Sequence, residues 1–143
     1  DKGYIVIGNR YVSANQIHQG GKTKDQKRRN DFLKWLDQME YEVFKIPRPN
    51  ITIYLSLPIK IVLDLIKKRD SSKMHRKYLK KKKDVHEADI SFLVNSRKSA
   101  QKLIKEIPNF IEIKCSEKNS ILSREAIHEK VYEKVKKIIS TKK

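Results

Sequence analysis

The chain has 143 residues, a length typical of one domain, and 34 Lys and Arg against 17 Asp and Glu give it a formal net charge of +17. Hydrophobic residues make up 38% of it, enough for one modest core, and no run of 18 apolar residues exists, which excludes a membrane-spanning helix. The single cysteine, Cys115, excludes an intrachain disulfide and so a disulfide-stabilised secreted scaffold. No basic-then-apolar signal sequence opens the chain, and these features together predict a cytoplasmic protein.

The first half of the chain contains two candidate strands and one amphipathic helix. Residues 4–7 form an apolar run before Gly8 and predict a buried strand. Residues 51–57 are mostly β-branched or aromatic and lie between prolines, which predicts a central strand buried on both faces. Between the two strands, the spacing i, i+3, i+4, i+7, i+11 predicts one helical face, made of Phe32, Trp35, Leu36, Met39 and Val43.

The second half alternates helices with one more strand. Pro58 suits the first turn of a helix, and the basic segment 67–83 follows that helix. A further helix is predicted from about Asp89 to a point before Pro108, followed by an outer strand over residues 110–115. Ser123 is a good N-cap for the last helix, whose apolar stripe is Ile127, Val131, Val135, Ile138 and Ile139.

Alternating strands and helices predict an α/β fold with a parallel sheet. Ligands bind such sheets beyond the carboxyl ends of the strands. We therefore expect a site among residues 8–19, 56–59 and 115–119. The basic loop, residues 67–89, is long enough to act as a lid over that site.

The positive charge is concentrated in three stretches. Residues 67–83 contain ten basic residues and one acid, a net charge of +9, and further clusters lie at residues 22–29 and from Lys130 onward. Such a surface favours polyanions, so one hypothesis is a non-enzymatic basic module that binds nucleotides or nucleic acid. The longest cluster contains one aromatic residue, Tyr78, which gives little support for base stacking. A run of basic residues is also common on a solvent-exposed surface that has no binding role.

A set of polar side chains follows the first candidate strand. Arg10 stands at the strand end, where a guanidinium can hold a phosphate by paired hydrogen bonds. If residues from Ser13 onward are helical, Asn15, His18 and Gln19 share one face of that helix. A carboxamide such as that of Asn15 both donates and accepts, which matches the N3–O4 edge of a pyrimidine.

The order and spacing of these residues resemble the thymidylate kinases along nearly the whole chain. Asn9-Arg10-Tyr11, followed by Asn15 and His18-Gln19-Gly20, is similar to the D-R-Y segment of that family. The stretch 36–49 and the strand that ends at Leu57-Pro58 resemble it as well. So do the lid-end sequence Lys83-Asp84-Val85-His86-Glu87-Ala88-Asp89 and the Phe92-Leu93 that follows it. The resemblance implies a three-layer parallel-sheet P-loop kinase fold. It also implies transfer of the γ-phosphoryl group of Mg²⁺-bound ATP to dTMP, which gives dTDP for dTTP biosynthesis.

The resemblance also implies roles for individual residues. Arg10 would be the catalytic residue that holds the exchanged phosphates, Asn15 would read the thymine edge, His18 would lie beside the deoxyribose and Gln19 near dTMP. Cations of the lid would contact the ATP phosphates, and Arg69 and Arg76 are the leading candidates. The lid-end residues Asp84, His86 and Glu87 would face the nucleotides, although both acids also suit the start of the next helix. The family forms homodimers, and the helical face that includes Phe32 and Val43 could serve as the interface.

The sequence departs from the family in three respects. Asn9 stands where the family has aspartate, Asn50 stands where it often has aspartate, and no G-x-x-x-x-G-K-[ST] phosphate loop occurs in the chain. In the family, a strand and this loop precede the region that matches our chain, and that strand lies between residues 4–8 and 51–57. We therefore expect residues 1–143 to be the C-terminal part of one kinase domain, inactive alone, with no metal ligands of its own. Cys115 is expected to be a buried small residue.

Overall fold

The computed structural model describes residues 4–72 and 90–140, which form a mixed α/β structure. Their helices are α1 (Val12–Lys22), α2 (Gln26–Asp37), a π-helix (Gln38–Val43), α3 (Ile59–Ser72), α4 (Ile90–Glu106) and α5 (Arg124–Ser140). The strands are β1 (Thr52–Ser56), β2 (Phe110–Lys114), β3 (Ser116–Glu117) and β4 (Ser120–Ile121). None of these helices combines the length and apolar composition that crossing a bilayer requires.

The predicted parallel pairing is confirmed for the two longer strands. β1 and β2 pair in register from Thr52 opposite Phe110 to Ser56 opposite Lys114. β3 and β4 form a short antiparallel hairpin that the sequence analysis missed. Its turn residues Lys118 and Asn119 have φ angles of 46° and 63°, the left-handed conformation that type I′ hairpin turns require. Among the described residues the parallel sheet has two strands, so a three-layer P-loop fold remains a proposal.

The predicted strand over residues 4–7 is wrong for this structure. No strand forms there, and Tyr4, Ile5, Val6 and Ile7 are 81%, 66%, 88% and 91% exposed. The prediction of a central position for residues 51–57 is also wrong, because among the described residues β1 pairs with β2 alone and Leu55 is 54% exposed. The physical reason is common to both errors. An extended segment becomes a strand only when a partner satisfies its backbone groups, and the described chain supplies neither segment with a further partner.

The predicted helical face that includes Phe32 and Val43 divides into two parts. Leu36 is buried, but Trp35 and Val43 are 54% and 56% exposed. Trp35 lies within α2, off the side that buries Leu33 and Leu36, whereas Val43 lies in the π-helix, whose longer turns are closed by the amide of Phe44 donating to the carbonyl of Met39. The wider turn changes the helical period, so the last apolar residues leave the buried face.

The core lies between the first helices, α4 and the parallel strands. It is centred on Leu33, Leu103 and Phe110, with flanking contacts from Ile17, Phe32, Tyr54, Ile104 and Ile107. The predicted helix before Pro108 is confirmed as α4, and Cys115 is buried at 2% exposure as predicted.

The last helix is confirmed, as is its cap. The amide of Ala126 donates to Ser123 Oγ at 3.1 Å, and the helix spans residues 124–140. Four of its stripe residues are partly buried, whereas Ile139 is 42% exposed. No α5 residue is fully buried, so this helix covers the sheet loosely.

Candidate functional site

Arg10 has an unusual backbone conformation at the start of α1. Its φ angle is 70°, in the left-handed region that residues other than glycine seldom adopt. Tyr11 follows as the N-cap in extended conformation, and its hydroxyl donates to the carbonyl of Pro47 at 3.0 Å. The strained turn therefore lies directly against a helix start that is fixed by a hydrogen bond to a distant part of the chain.

The helix that follows presents the predicted amide residues to solvent. Asn15 and Gln19 are both exposed and stand four residues apart, on one side of α1. His18 is partly buried, and its ring stacks on Phe92 of α4 with the ring centres 6.1 Å apart and the planes 17° apart. Asn15 and Gln19 are available to a ligand, whereas His18 joins α1 to the start of α4.

The opposite side of α1 packs closely on α4. Gln16 is 4% exposed, and its carbonyl accepts a hydrogen bond from Ser99 Oγ at 3.1 Å. A Cβ at position 20 would lie 2.7 Å from Ser99 Oγ, and one at position 21 would lie less than 3.0 Å from Ser96 Oγ and from the Ser96 backbone. This close approach fixes the rotation of α1, and therefore which of its residues face outward.

The basic cluster predicted at residues 22–29 is only partly a surface feature. Arg29 is 4% exposed, and its guanidinium donates to the carbonyls of Gly20 and Thr23 and to the side chain of Gln26. It joins the end of α1 to the start of α2 and thus stabilises the turn between them. Sequence reasoning missed this role, because a buried arginine with backbone acceptors has no local sequence signature.

A cavity of about 290 Å³ lies beside the N-terminal half of α1. Its lining includes Ser13 and Gln16 together with Thr52, Asn109 and Phe110. The last three residues belong to the amino ends of β1 and β2, so the start of α1 lies near those ends. The structure therefore places the first half of α1 beside the amino ends of the strands and not beside the segments that follow their carboxyl ends. With residues 4–7 outside the sheet, no strand directs Arg10 to that edge.

Asp37, Tyr41 and Arg48 form a cluster on the rim of this cavity. Arg48 donates to both carboxylate oxygens of Asp37 at 3.0 and 2.7 Å, and its guanidinium lies 4.0 Å from the centre of the Tyr41 ring. The hydrogen bonds to Asp37 raise the pKa of Arg48, and burial raises the pKa of Tyr41. Arg48 and Asp37 neutralise each other, so this cluster stabilises the segment before β1 and offers little free charge to a ligand.

The carboxyl ends of the parallel strands are joined to each other and to α4. The amide of Cys115 donates to the carbonyl of Ser56 at 3.0 Å, and Arg97 of α4 donates to the carbonyl of Leu57. Burial raises the pKa of the Cys115 thiol, which disfavours the nucleophilic thiolate. Arg97 was not singled out by the sequence analysis, and an arginine within an amphipathic helix gives no signal of such a contact.

Most of the predicted lid residues lie outside the described part of the chain. These are Arg76, Asp84, His86 and Glu87. The predicted loop at residues 67–89 begins as helix, because α3 continues to Ser72 and includes Arg69. Residues 67–72 therefore extend a helix that starts just beyond the carboxyl end of β1.

The described residues offer no metal centre. Within residues 4–72 and 90–140, no group of three or more His, Cys, Asp or Glu side chains is placed to hold a metal ion. Asn9, a neutral amide, precedes Arg10.

Arg10, Asn15 and Gln19 are all exposed, at the start and along one side of α1. A guanidinium at position 10 suits a phosphate, and the exposed carboxamides of α1 suit a heterocycle edge. Comparisons of the chain with protein-family models, curated proteins and solved structures found no match.

Proposed function

We propose that this chain forms the nucleoside-monophosphate-binding part of a thymidylate kinase, which transfers the γ-phosphoryl group of ATP to dTMP. The observation that carries the proposal is the left-handed φ of 70° at Arg10. Such strain in a residue other than glycine is concentrated at functional sites. Here it occurs at the arginine that the resemblance to the D-R-Y segment assigns to phosphate binding.

The exposed face of α1 supports recognition of the base. Asn15 presents one donor and one acceptor, which complement the N3–H and O4 groups of thymine. Gln19 lies one helical turn further on and can contact the same nucleotide. His18 stacks on Phe92 at the start of α4, so this side chain connects the proposed nucleotide-binding side of α1 to α4.

The charge of the protein suits phosphoryl transfer. The reaction needs its phosphates positioned and their negative charge neutralised, and it needs little covalent chemistry from the protein. Arg10 would hold the phosphate of dTMP, and lid cations such as Arg69 or Arg76 would approach the phosphates of ATP. Mg²⁺ enters with ATP as part of that substrate.

The proposal requires two additions to the described structure. Residues 4–7 must join the sheet as a strand parallel to β1, because this brings Arg10 to the carboxyl edge where the ends of β1 and β2 already lie. A phosphate loop must also come from residues beyond these 143, since the chain contains none. We therefore expect activity in a longer version of the protein and little in this chain alone.

The test is ADP release coupled to a reporter reaction, with ATP, Mg²⁺ and dTMP. It is run on this chain and on a version extended through any upstream reading frame. In an active extended version, Arg10→Ala is expected to lower kcat/KM by about 100–1000-fold, as for loss of one group that stabilises transferred charge. Arg28→Ala is the matched control, because Arg28 is an exposed arginine on α2.

Two results would overturn the kinase proposal. One is an extended, folded protein that binds neither ATP nor dTMP. The other is equal activity of the Arg10→Ala and Arg28→Ala variants. Salt-dependent binding of nucleic acid without base preference, combined with no turnover of dTMP, would instead favour the non-enzymatic basic module.

A further inference from the structure

An open, polar cavity of about 500 Å³ lies between the start of α2 and the second half of α4. Its volume is within the range of small-molecule sites. The lining consists of four cationic side chains, three carboxamides and one carboxylate. Arg10, Asn15 and Gln19 are not among these residues, so the cavity is separate from the nucleotide site proposed above.

The wall of this cavity contains a buried guanidinium whose hydrogen-bond acceptors are uncharged. Arg29 is 4% exposed. It donates to the carbonyls of Gly20 and Thr23 and to Oε1 of Gln26, which use three of its five N–H groups. Buried charges are normally paired with a charge of opposite sign. An anion in the cavity would supply that charge to Arg29.

The carboxamides beside Arg29 have their oxygens occupied already. Oε1 of Gln26 accepts from Arg29, and Oδ1 of Asn30 accepts from Nε2 of Gln26 at 3.2 Å. Lys102 donates to the same oxygen of Asn30. The amide group of Asn30 therefore remains as a donor, and hydrogen-bond donors beside cations favour an anionic ligand.

Three lysines of α4 bring further positive charge to the cavity. Lys98, Lys102 and Lys105 are spaced i, i+4, i+7 and so share one side of the helix. The carboxylate of Glu106 lies 3.6 Å from Lys102, while Lys98 and Lys105 form no ion pair with any residue that the structure describes. With Arg29, the lining has four cations and one carboxylate, a net charge of +3.

We propose that this cavity binds a small molecule that carries two or more phosphate groups. A single phosphate group has at most about two negative charges near neutral pH, fewer than the cavity's net charge of +3. Lys98 and Lys105 are also about 10 Å apart along the helix axis, a distance that two linked phosphates span better than one. The inference does not depend on the kinase proposal, because it uses different residues.

A small ligand fits the cavity better than a nucleic-acid backbone does. The cations converge on one concave space between two helices, and the buried guanidinium of Arg29 forms part of its wall. A nucleic-acid backbone is bound instead by positive charge spread along an extended groove or stripe. Oligonucleotide binding is therefore an alternative that the experiment has to distinguish.

The first measurement is isothermal titration calorimetry of the 143-residue chain with sodium tripolyphosphate. It is made in about 0.1 M salt without Mg²⁺, where the Debye length is about 10 Å. Inorganic phosphate and a single-stranded oligonucleotide are titrated in parallel. We expect tripolyphosphate to bind, and inorganic phosphate to bind about 10-fold more weakly or less tightly still, because it makes fewer charge-assisted hydrogen bonds.

Nuclear magnetic resonance then locates the bound ligand, since residues 67–83 also carry a high positive charge. The signals of the Arg29 Nε–H group and of the Asn30 side-chain amide should shift on addition of tripolyphosphate. Those of the Asn15 and Gln19 side-chain amides should stay in place, because these residues do not line the cavity.

The test variant is the double substitution Lys98→Gln and Lys105→Gln. Both residues are exposed, so the fold should be retained, and thermal unfolding checks this. Affinity for tripolyphosphate should fall by about 10-fold or more, as for loss of hydrogen bonds to charged groups. The matched control is Lys134→Gln with Lys136→Gln. It removes the same charge from exposed positions of α5, which does not line the cavity, and should leave the affinity nearly unchanged.

Four outcomes would overturn the proposal. The first is no binding of tripolyphosphate. The second is an equal loss of affinity in the two double variants, which would assign binding to net charge alone. The third is binding that leaves the Arg29 and Asn30 signals in place, since the ligand would then lie elsewhere. The fourth is an oligonucleotide that shifts these signals when tripolyphosphate does not, which would assign the cavity to a nucleic-acid backbone.

Discussion

Gly21 of α1 lies so close to Ser96 of α4 that a Cβ atom at position 21 would fall 2.3 Å from Ser96 Oγ. The backbone nitrogen and Cα of Ser96 would lie 2.8 and 2.9 Å from that Cβ atom. A side-chain rotation alone cannot relieve these contacts, because two of them involve backbone. The absence of a side chain at position 21 thus sets the distance between α1, which bears Asn15, and α4.

Gly21→Ala is expected to lower the free energy of unfolding by about 1–3 kcal/mol, the usual cost of forcing an extra group into a packed interface. Urea unfolding followed by circular dichroism measures it. Gly8→Ala is the control, since a Cβ there meets nothing closer than 4.0 Å. Ser96 Oγ is buried without a hydrogen-bond partner, so adding Ser96→Ala to Gly21→Ala should restore part of the stability. No restoration, or equal effects at positions 8 and 21, would contradict this account.

Arg97→Ala should change two properties together. It removes the hydrogen bond to the carbonyl of Leu57, and stability should fall by about 1–3 kcal/mol because the acceptor loses its partner. It should also raise the pKa of Tyr54 further, since burial already raises that pKa and the charge of Arg97 partly opposes the rise. Ultraviolet titration of the tyrosines measures the second effect. Lys98→Ala, a change at the neighbouring exposed residue, should move neither quantity.

Stability should decline in alkaline solution partly through Tyr54. Burial raises the pKa of this phenol above its ordinary value of 10.0, so the folded chain holds the proton more tightly than the unfolded chain. As the pH rises above 10, the unfolded state loses its proton first and becomes favoured. The free energy of unfolding should then fall by at most about 1.4 kcal/mol per pH unit from this group. Tyr54→Phe should remove that part of the slope. Parallel slopes for the two proteins between pH 9 and 11 would refute the assignment.

Asn15→Asp tests recognition of the base in an active extended protein. The substitution removes a donor and places a negative charge beside the O4 acceptor of thymine, so kcat/KM for dTMP should fall by about 10–100-fold. Asn15 is exposed, and the fold should therefore be retained. Gln101→Glu makes the same chemical change at an exposed position of α4 and should have no effect. An equal loss in both variants would mean that added charge, and not base recognition, is responsible.

Local sequence patterns determined much of this protein. The helical stripe and Ser123 predicted α5, the proline boundaries and β-branched residues predicted β1, and α4 was predicted to end before Pro108. The placement of Asn15 and Gln19 on one side of α1 also followed from their spacing. These features depend on neighbours a few residues apart, whose preferences are written in the sequence itself.

Only the tertiary structure decided the features that need distant partners. Residues 4–7 have the composition of a buried strand, yet they remain exposed because no partner strand satisfies their backbone. Arg29 and Arg97 were indistinguishable from surface cations until their carbonyl acceptors, supplied by other elements, came into contact with them. The fold decides which groups come within hydrogen-bonding distance. Those partners determine whether an apolar run becomes a strand and whether a cationic side chain links two elements of the structure.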